Sequence, residues 1–326
     1  MKLVRRRFLH LAAGVAGLPF APAAVVADDV YPSRPIHVIV GFTPGAAADV
    51  AARVLAESGG PILGQQIVVE NKPGAGSSIA AEYVAHAAKD GYTVFLTTLS
   101  IITNQIINPN AALDLERDLA PVALLEQGAV VLVVDPASNI HSVEELIALA
   151  KSKPGQVLDA TVIGSLPHFA TELFAQRAGI KLTHVPYPGS PQTIIDLIAG
   201  RATMTFSPAS TVVGQIAAGK IRPLAVAAKK RAAALPDVPT MAEAGMPDFD
   251  TSLWFGLLAP AGTPRPVIEK LAVAARQAMH TPQAIASLSK QGYEPLDAGP
   301  DEFAAFMRSE IARWSEVARS AGLVKS

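Results

Sequence analysis

Residues 36–57 read IHVIVGFTPGAAADVAARVLAE. The β-branched run Ile36–Val40 predicts a strand, and Thr43–Gly45 a loop. From Ala48 to about Glu57 the apolar residues recur at helical spacing. The same alternation continues outward. Gln66–Glu70 predicts a second strand, residues 71–76 a loop, Ile79–Ala88 a helix and Thr93–Thr97 a third strand. Such βαβαβ order argues for a mainly parallel sheet flanked by helices.

The pattern recurs after Val130–Val134, which predicts a strand. Ser142 caps a helix running to Lys151, with Glu145 completing a capping box. Asp159–Thr161, Leu182–Val185, Met204–Ser207 and Leu224–Ala227 predict strands. Phe169–Ala178, Pro191–Ala199 and Ser210–Ala218 predict the helices between them. Leu253–Leu258 reads as a strand returning to the first sheet. Three helices follow, Pro264–Met279, Pro282–Gln291 and Pro300–Ala321, each with a proline where a first-turn N–H is dispensable. The chain is α/β with two lobes. One is expected from 28–128 and 249–326, the other from 129–248.

Ahead of this lies Arg5-Arg6-Arg7-Phe8-Leu9, an apolar run to Phe20, and small residues at Val25 and Ala27. That is a secretory signal over 1–27, cut before Asp28, for twin-arginine or Sec export. The protein is expected outside the cytoplasm, in the periplasm. Removing 1–27 takes away Lys2, Arg5, Arg6 and Arg7 and leaves 23 basic against 28 acidic residues, a net of −5. Nucleic-acid binding is disfavoured by that balance. Cysteine is absent, which excludes disulfides, thiolate catalysis and Cys-based metal sites.

Catalytic motifs fail on inspection. Residues 214–221 have P-loop spacing but end in Ile221 and sit between a helix and a strand, the reverse of a phosphate cradle. Residues 76–80 lack the last glycine of a nucleophile elbow, and 74–79 the third glycine of a dinucleotide fingerprint. The seven histidines show no metal-ligand spacing. His168, ahead of a helix, reads as a capping or packing imidazole. No catalytic, metal or cofactor site is expected.

Three strand-to-helix loops are rich in small residues: Thr43–Ala48, Pro73–Ser78 and Gly164–Pro167. Each precedes a helix whose N-terminus offers free N–H groups and a positive dipole end, suited to a carboxylate. Small side chains let a ligand approach the backbone.

Several segments, in this order, resemble the Bug-type extracytoplasmic solute receptors of tripartite tricarboxylate transporters. They are Tyr31–Ile36, Phe42–Gly45 with Asp49, Val69–Gly76, Asp90–Thr93, Gly164-Ser165 with His168, and Val185–Tyr187 with Gly189. Ala234–Thr240 and Trp254–Pro264 complete the set. The resemblance implies a two-lobed periplasmic-binding-protein fold, type II-like, that closes on its ligand. It implies a small carboxylate held between the loop Phe42, Pro44, Gly45, Ala46, Ala47, Ala48 and Asp49 and the loop of Gly164, Ser165 and His168. Ser77, Ser100, Tyr187 and Ser207 are the further expected contacts. Delivery to membrane permease subunits without chemistry is implied, by a monomer. A ligand-presenting partner of a signalling system is the alternative, and an exported enzyme a remote third.

Some positions depart from the family. Ala46 replaces a usual glycine, Ala48 a usual hydroxyl residue and Ser207 a frequent aspartate. Val162, Ile163 and Leu166 are more apolar than usual, as is the loop Leu99–Asn104. A pocket that trades polar for apolar contacts suits a ligand with one carboxylate and an apolar or aromatic body.

Overall fold

The computed structural model describes residues 31–108 and 112–324. The expected signal segment, 1–27, lies outside the described residues. No described helix is long and apolar enough to cross a membrane. The chain runs β1 (Ile36–Val40), α1 (Ala47–Leu63), β2 (Ile67–Asn71), α2 (Ser78–Ala85), β3 (Thr93–Thr97), α3 (Leu99–Ile107), α4 (Leu115–Asp118) and β4 (Leu119–Gly128). It continues through β5 (Val130–Val134), α5 (Val143–Ser152), β6 (Leu158–Thr161), α6 (Leu166–Ala178), β7 (Thr183–Pro186), α7 (Ser190–Ile198), β8 (Met204–Pro208), α8 (Ala209–Ala217) and β9 (Arg222–Val226). It ends with β10 (Leu253–Pro260), α9 (Arg265–Met279), α10 (Pro282–Lys290), β11 (Tyr293–Ala298) and α11 (Pro300–Ser320).

Among the described residues the strands form two sheets, ordered β11-β4-β10-β3-β1-β2 and β7-β6-β8-β5-β9. The chain passes from the first to the second between β4 and β5, with only Ala129 between the strands. It returns along the segment from β9 to β10. Both sheets are mixed, not mainly parallel. β1 pairs parallel with β2 and β3, whereas β10 and β4 run antiparallel to each other, as do β4 and β11. The reason is the crossing: β10 re-enters the first sheet from the end at which β4 leaves it. Strands buried on both faces read as continuous apolar runs, and β5 (VVLVV) and β10 (LWFGLLAP) are buried throughout.

Several elements depart from the sequence expectation. Residues 99–107 form helix α3, not a loop, because Leu99, Ile101 and Ile102 bury against the core. β4 and β11 were not anticipated. Pro121 and Glu126 break the pattern of the first and Pro295 that of the second. Helix α1 also continues past Glu57 through Gly59, Gly60 and Pro61. Gly59 is packed so closely that a Cβ there would lie 3.0 Å from Ile67 Cδ1. At α5 the Ser142 hydroxyl accepts from the Glu145 N–H at 3.1 Å, while the Glu145 carboxylate accepts from His141, one residue before the cap.

One carboxylate joins the C-terminal helix to the first sheet. Glu310 accepts from the indole N–H of Trp254 at 2.9 Å and of Trp314 at 3.0 Å. Both tryptophans are buried, and they are the only two in the chain. A buried donor left unpaired costs about 1–3 kcal/mol. Glu310→Leu strands two, so it should destabilise the protein by roughly 2–5 kcal/mol. Urea unfolding followed by tryptophan fluorescence measures this; an unchanged midpoint would show that the pairing contributes nothing.

Candidate functional site

Between the sheets lies a cleft of about 470 Å³. Five segments line it, and each leads into a helix: Phe42–Ala48 into α1, Thr98 and Ser100 at α3, Val162 and Ser165–Pro167 at α6, Pro188–Pro191 at α7, and Pro208 with Ser210 and Thr211 at α8. Val50, Leu253, Phe255 and Gln291 complete the lining. A side-chain cap normally satisfies some of the free N–H groups of a first turn. Ser142 and Thr281 do this for α5 and α10. At Ala46, Thr98, Ser165, Gly189 and Pro208, the N-cap positions of the five cleft helices, no side chain makes such a bond.

Among the described residues the lining contains no Asp, Glu, Lys, Arg or His. Its positive potential therefore comes from backbone dipoles alone. Two hydroxyl oxygens in the lining, Thr98 Oγ1 and Ser165 Oγ, are buried without a partner. A larger, open depression of about 600 Å³ lies at the C-terminal end of α1 beside Glu57. There the carbonyl end of the helix disfavours an anion.

Of the residues singled out in the sequence, Phe42, Pro44, Gly45, Ala46, Ala47, Ala48, Ser100 and Ser165 line the cleft. Asp49, Ser77, Gly164, His168, Tyr187 and Ser207 lie outside the lining. Asp49 is buried under the first loop. Its carboxylate accepts from Gly45 N at 2.9 Å, from Arg53 at 2.9 and 3.0 Å, and from Asn71 Nδ2 at 2.9 Å. Burial alone would raise its pKa, but the bonds from Arg53, Gly45 and Asn71 outweigh burial and hold it low. Asp49 thus shapes the loop that carries Gly45, whose φ is +81°. Ser77, at the end of the loop 73–78, packs under Gly41, whose carbonyl accepts from its hydroxyl at 3.4 Å. That loop supports the cleft from behind.

Gly164 accepts from Thr103 Oγ1 at 2.5 Å, a bond from α3 to the loop before α6 that joins the two sheets' surroundings. Tyr187 donates to Asp196 at 2.7 Å. Ser207, on β8, has a buried hydroxyl without a partner. Pro188–Pro191, Pro208, Ser210 and Thr211 were missed, although they directly follow Tyr187 and Ser207.

His168 sits in a buried network. Its Nδ1 accepts from Gly164 N at 3.3 Å, and its Nε2 lies 3.9 Å from Glu172. His184 bonds to Asp159 through Nδ1 at 2.9 Å and to Glu172 through Nε2 at 2.7 Å. His168, Glu172 and His184 bring their ligand-capable atoms within 4.8 Å, a grouping that sequence spacing concealed because it joins a helix to a strand. Both nitrogens of His184 are already engaged with carboxylates, and His168 Nδ1 with a backbone N–H. The set reads as a hydrogen-bonded clamp of α6, β6 and β7. Burial pushes the His168 imidazole down to about 4, aided by the charge of His184. The bonds to Asp159 and Glu172 raise His184 to about 9.

Two lobes, each an α/β sheet, facing each other across a cleft ringed by helix N-termini define a periplasmic binding protein. The chain belongs to the tripartite tricarboxylate transporter receptor family, whose pattern, described as "TctC: Tripartite tricarboxylate transporter family receptor", matches residues 51–323. It is 38% identical over 303 residues to protein BugT of Bordetella pertussis, covering 92% of this chain and 93% of BugT. Among solved structures it is similar to R. palustris Rpa4515 with adipate, at 34% identity, TM-score 0.84, and 90% and 98% of the two chains covered. It is also similar to MatC (Rpa3494) from Rhodopseudomonas palustris with bound malate, at 31% identity, TM-score 0.80, and 88% and 99% covered.

Because the folded pKa of His184 lies above its unfolded value of 6.5, its contribution to stability is full below about pH 6.5 and is lost as pH rises through about 9. Thermal unfolding across that window should show wild type losing stability and His184→Gln lacking that part of the slope. Parallel curves would place the imidazole outside any charged pair.

Proposed function

We propose that this chain captures a small carboxylate in the cleft and presents it to the membrane permease subunits of a tripartite tricarboxylate-type transporter. The observation that carries this reading is the set of five uncapped helix N-termini opening on one cleft. Their N–H groups come from both lobes, so an anion between them favours the closed arrangement over the open one. The adipate and malate in the two solved relatives support a carboxylate as the ligand. The lobes are 28–128 with 249–326, and 129–248, moving about the crossing at Ala129 and the segment before Leu253. Residues 1–27 direct export to the periplasm, by the twin-arginine or Sec route, and the receptor acts as a monomer. Capture and release need no chemistry on the ligand.

The ligand carries one carboxylate on an apolar or aromatic body. Phe42, Val50, Val162, Leu166, Leu253 and Phe255 supply apolar surface for that body, and Ala46 and Ala48 offer no hydroxyl to a second polar group. A polyhydroxylated tricarboxylate would leave oxygens unpaired at about 1–3 kcal/mol each.

A ligand at about 100 times its Kd stabilises the folded state by roughly 2.7 kcal/mol. Aromatic and aliphatic monocarboxylates should therefore raise Tm by several degrees and neutral sugars leave it unchanged; a response to sugars alone overturns the reading. Ala46→Asp supplies α1 with the cap it lacks. It should stabilise the free protein by about 1 kcal/mol and weaken carboxylate binding at least tenfold, because its own carboxylate takes the N–H groups. Titration calorimetry that shows unchanged affinity would remove α1 from the site.

A further inference from the structure

Among the described residues every polar side chain of the cleft lining is a hydroxyl except one, the carboxamide of Gln291. Gln291 ends α10, where its backbone N–H donates to the Leu288 carbonyl at 2.9 Å. The side chain turns back along the helix, and Nε2 donates to the Ser287 carbonyl at 3.2 Å. The second amide N–H and the Oε1 acceptor have no partner among the described residues. The residue is only half-buried and lines the cleft, so a ligand in the cleft can reach it. The bond to Ser287 also fixes which way the amide faces. Turned over, it would set Oε1 against a carbonyl oxygen, acceptor against acceptor.

The next residues place Gln291 at a corner where the two sheets meet. A Cβ at Gly292, whose φ is +75°, would lie 2.8 Å from that of Ala209. The Gly292 carbonyl accepts from Ala129 N at 3.4 Å, and the Tyr293 hydroxyl lies 3.1 Å from Ser210 Oγ. The turn 291–293, which leads into β11 of the first sheet, is thus pressed against the start of α8, which follows β8 of the second. Ser210 and Thr211 line the cleft beside it. The Ala209 N–H is taken by the Ala129 carbonyl at 2.9 Å, but Ser210 and Thr211 begin a first turn that no side chain caps. Leu253 and Phe255 bring apolar surface to the same corner: Leu253 pairs with Gly128, and the Phe255 ring packs edge-on to Tyr293 at 5.9 Å. Gln291 therefore offers one fixed donor and one fixed acceptor beside an apolar wall.

We propose that Gln291 is a specificity-determining residue of the cleft, whose carboxamide receives a hydroxyl at the end of the ligand remote from its carboxylate. The inference rests on the carboxylate-receptor reading above and adds a second group to that ligand. A hydroxyl both donates and accepts, so it satisfies Oε1 and the free N–H together. A carboxylate can only accept, and would set its oxygens against Oε1. An ammonium can only donate, and would leave the amide N–H unmatched in a corner that holds no anion.

The test is calorimetric titration with ω-hydroxy acids of four to eight carbons, each against its unsubstituted acid. At the preferred length the hydroxy acid should bind wild type about three- to tenfold tighter, the size of one added hydrogen bond. Gln291→Met, which keeps the length and flexibility of the side chain, should bring that ratio close to one. Gln291→Glu puts a fixed negative charge at the corner, and should raise the affinity of the matching ω-amino acid relative to the ω-hydroxy acid at least tenfold over wild type. A hydroxyl advantage that survives Gln291→Met overturns the proposal, as does a wild type that shows none at any length while it still binds the plain acids; the receptor reading then stands. If no acid of either series binds, the receptor reading fails and this inference falls with it. Should Gln291→Met not fold, the Gln291→Glu ratio decides, and an unchanged ratio overturns the proposal.

Discussion

A helix that begins without a capping side chain leaves backbone N–H groups which something else must satisfy. Here five helices begin that way around one cleft; away from it α5 and α10 are capped by Ser142 and Thr281, while α2 and α9 also start without a side-chain cap. The arrangement of the rest follows from keeping those five ends exposed and correctly aimed. Asp49 holds the first loop from beneath, Ser77 wedges under Gly41, and the His168–Glu172–His184–Asp159 network fixes the start of α6. None of these groups lines the cleft. Each spends its charge or hydroxyl on the backbone or on another side chain, and so leaves the cleft wall free of fixed charge.

Much of the fold was legible in the sequence because local pattern and tertiary role coincide there. Ile36–Val40, Thr93–Thr97 and Val130–Val134 are strands with the bounds their β-branched runs suggest. Legibility fails where a strand depends on its neighbours. β4 carries a proline and a buried glutamate, and only its place between β10 and β11 makes it a strand. The antiparallel half of each sheet was equally hidden, since it follows from where the chain crosses and not from any run of residues.

The cleft shows the same limit at finer scale. The small residues from Pro44 to Ala48 line it, as a close backbone approach requires. Tyr187 directly follows β7 and Ser207 is the last residue but one of β8, and the residues that form the wall, Pro188–Pro191 with Pro208, Ser210 and Thr211, come just after them. A one- to four-residue offset separates a recognisable motif from the surface it positions. The histidine cluster was invisible for a related reason: His168 and Glu172 share a helix, but His184 reaches them only because β7 lies alongside.

With Ala129 alone between β4 and β5, the two sheets share what is nearly one continuous ribbon. A ribbon of that kind resists stretching and shear far more than it resists twist. Motion of one lobe against the other is then a rotation about a pin, and displacement grows with distance from it. Leu253, opposite Gly128, and Gln291, next to the Gly292 whose carbonyl accepts from Ala129 N, lie beside that pin, so such a rotation would displace them least. A rotation of that kind would leave the deep end of the cleft a fixed template and make the outer end an adjustable jaw.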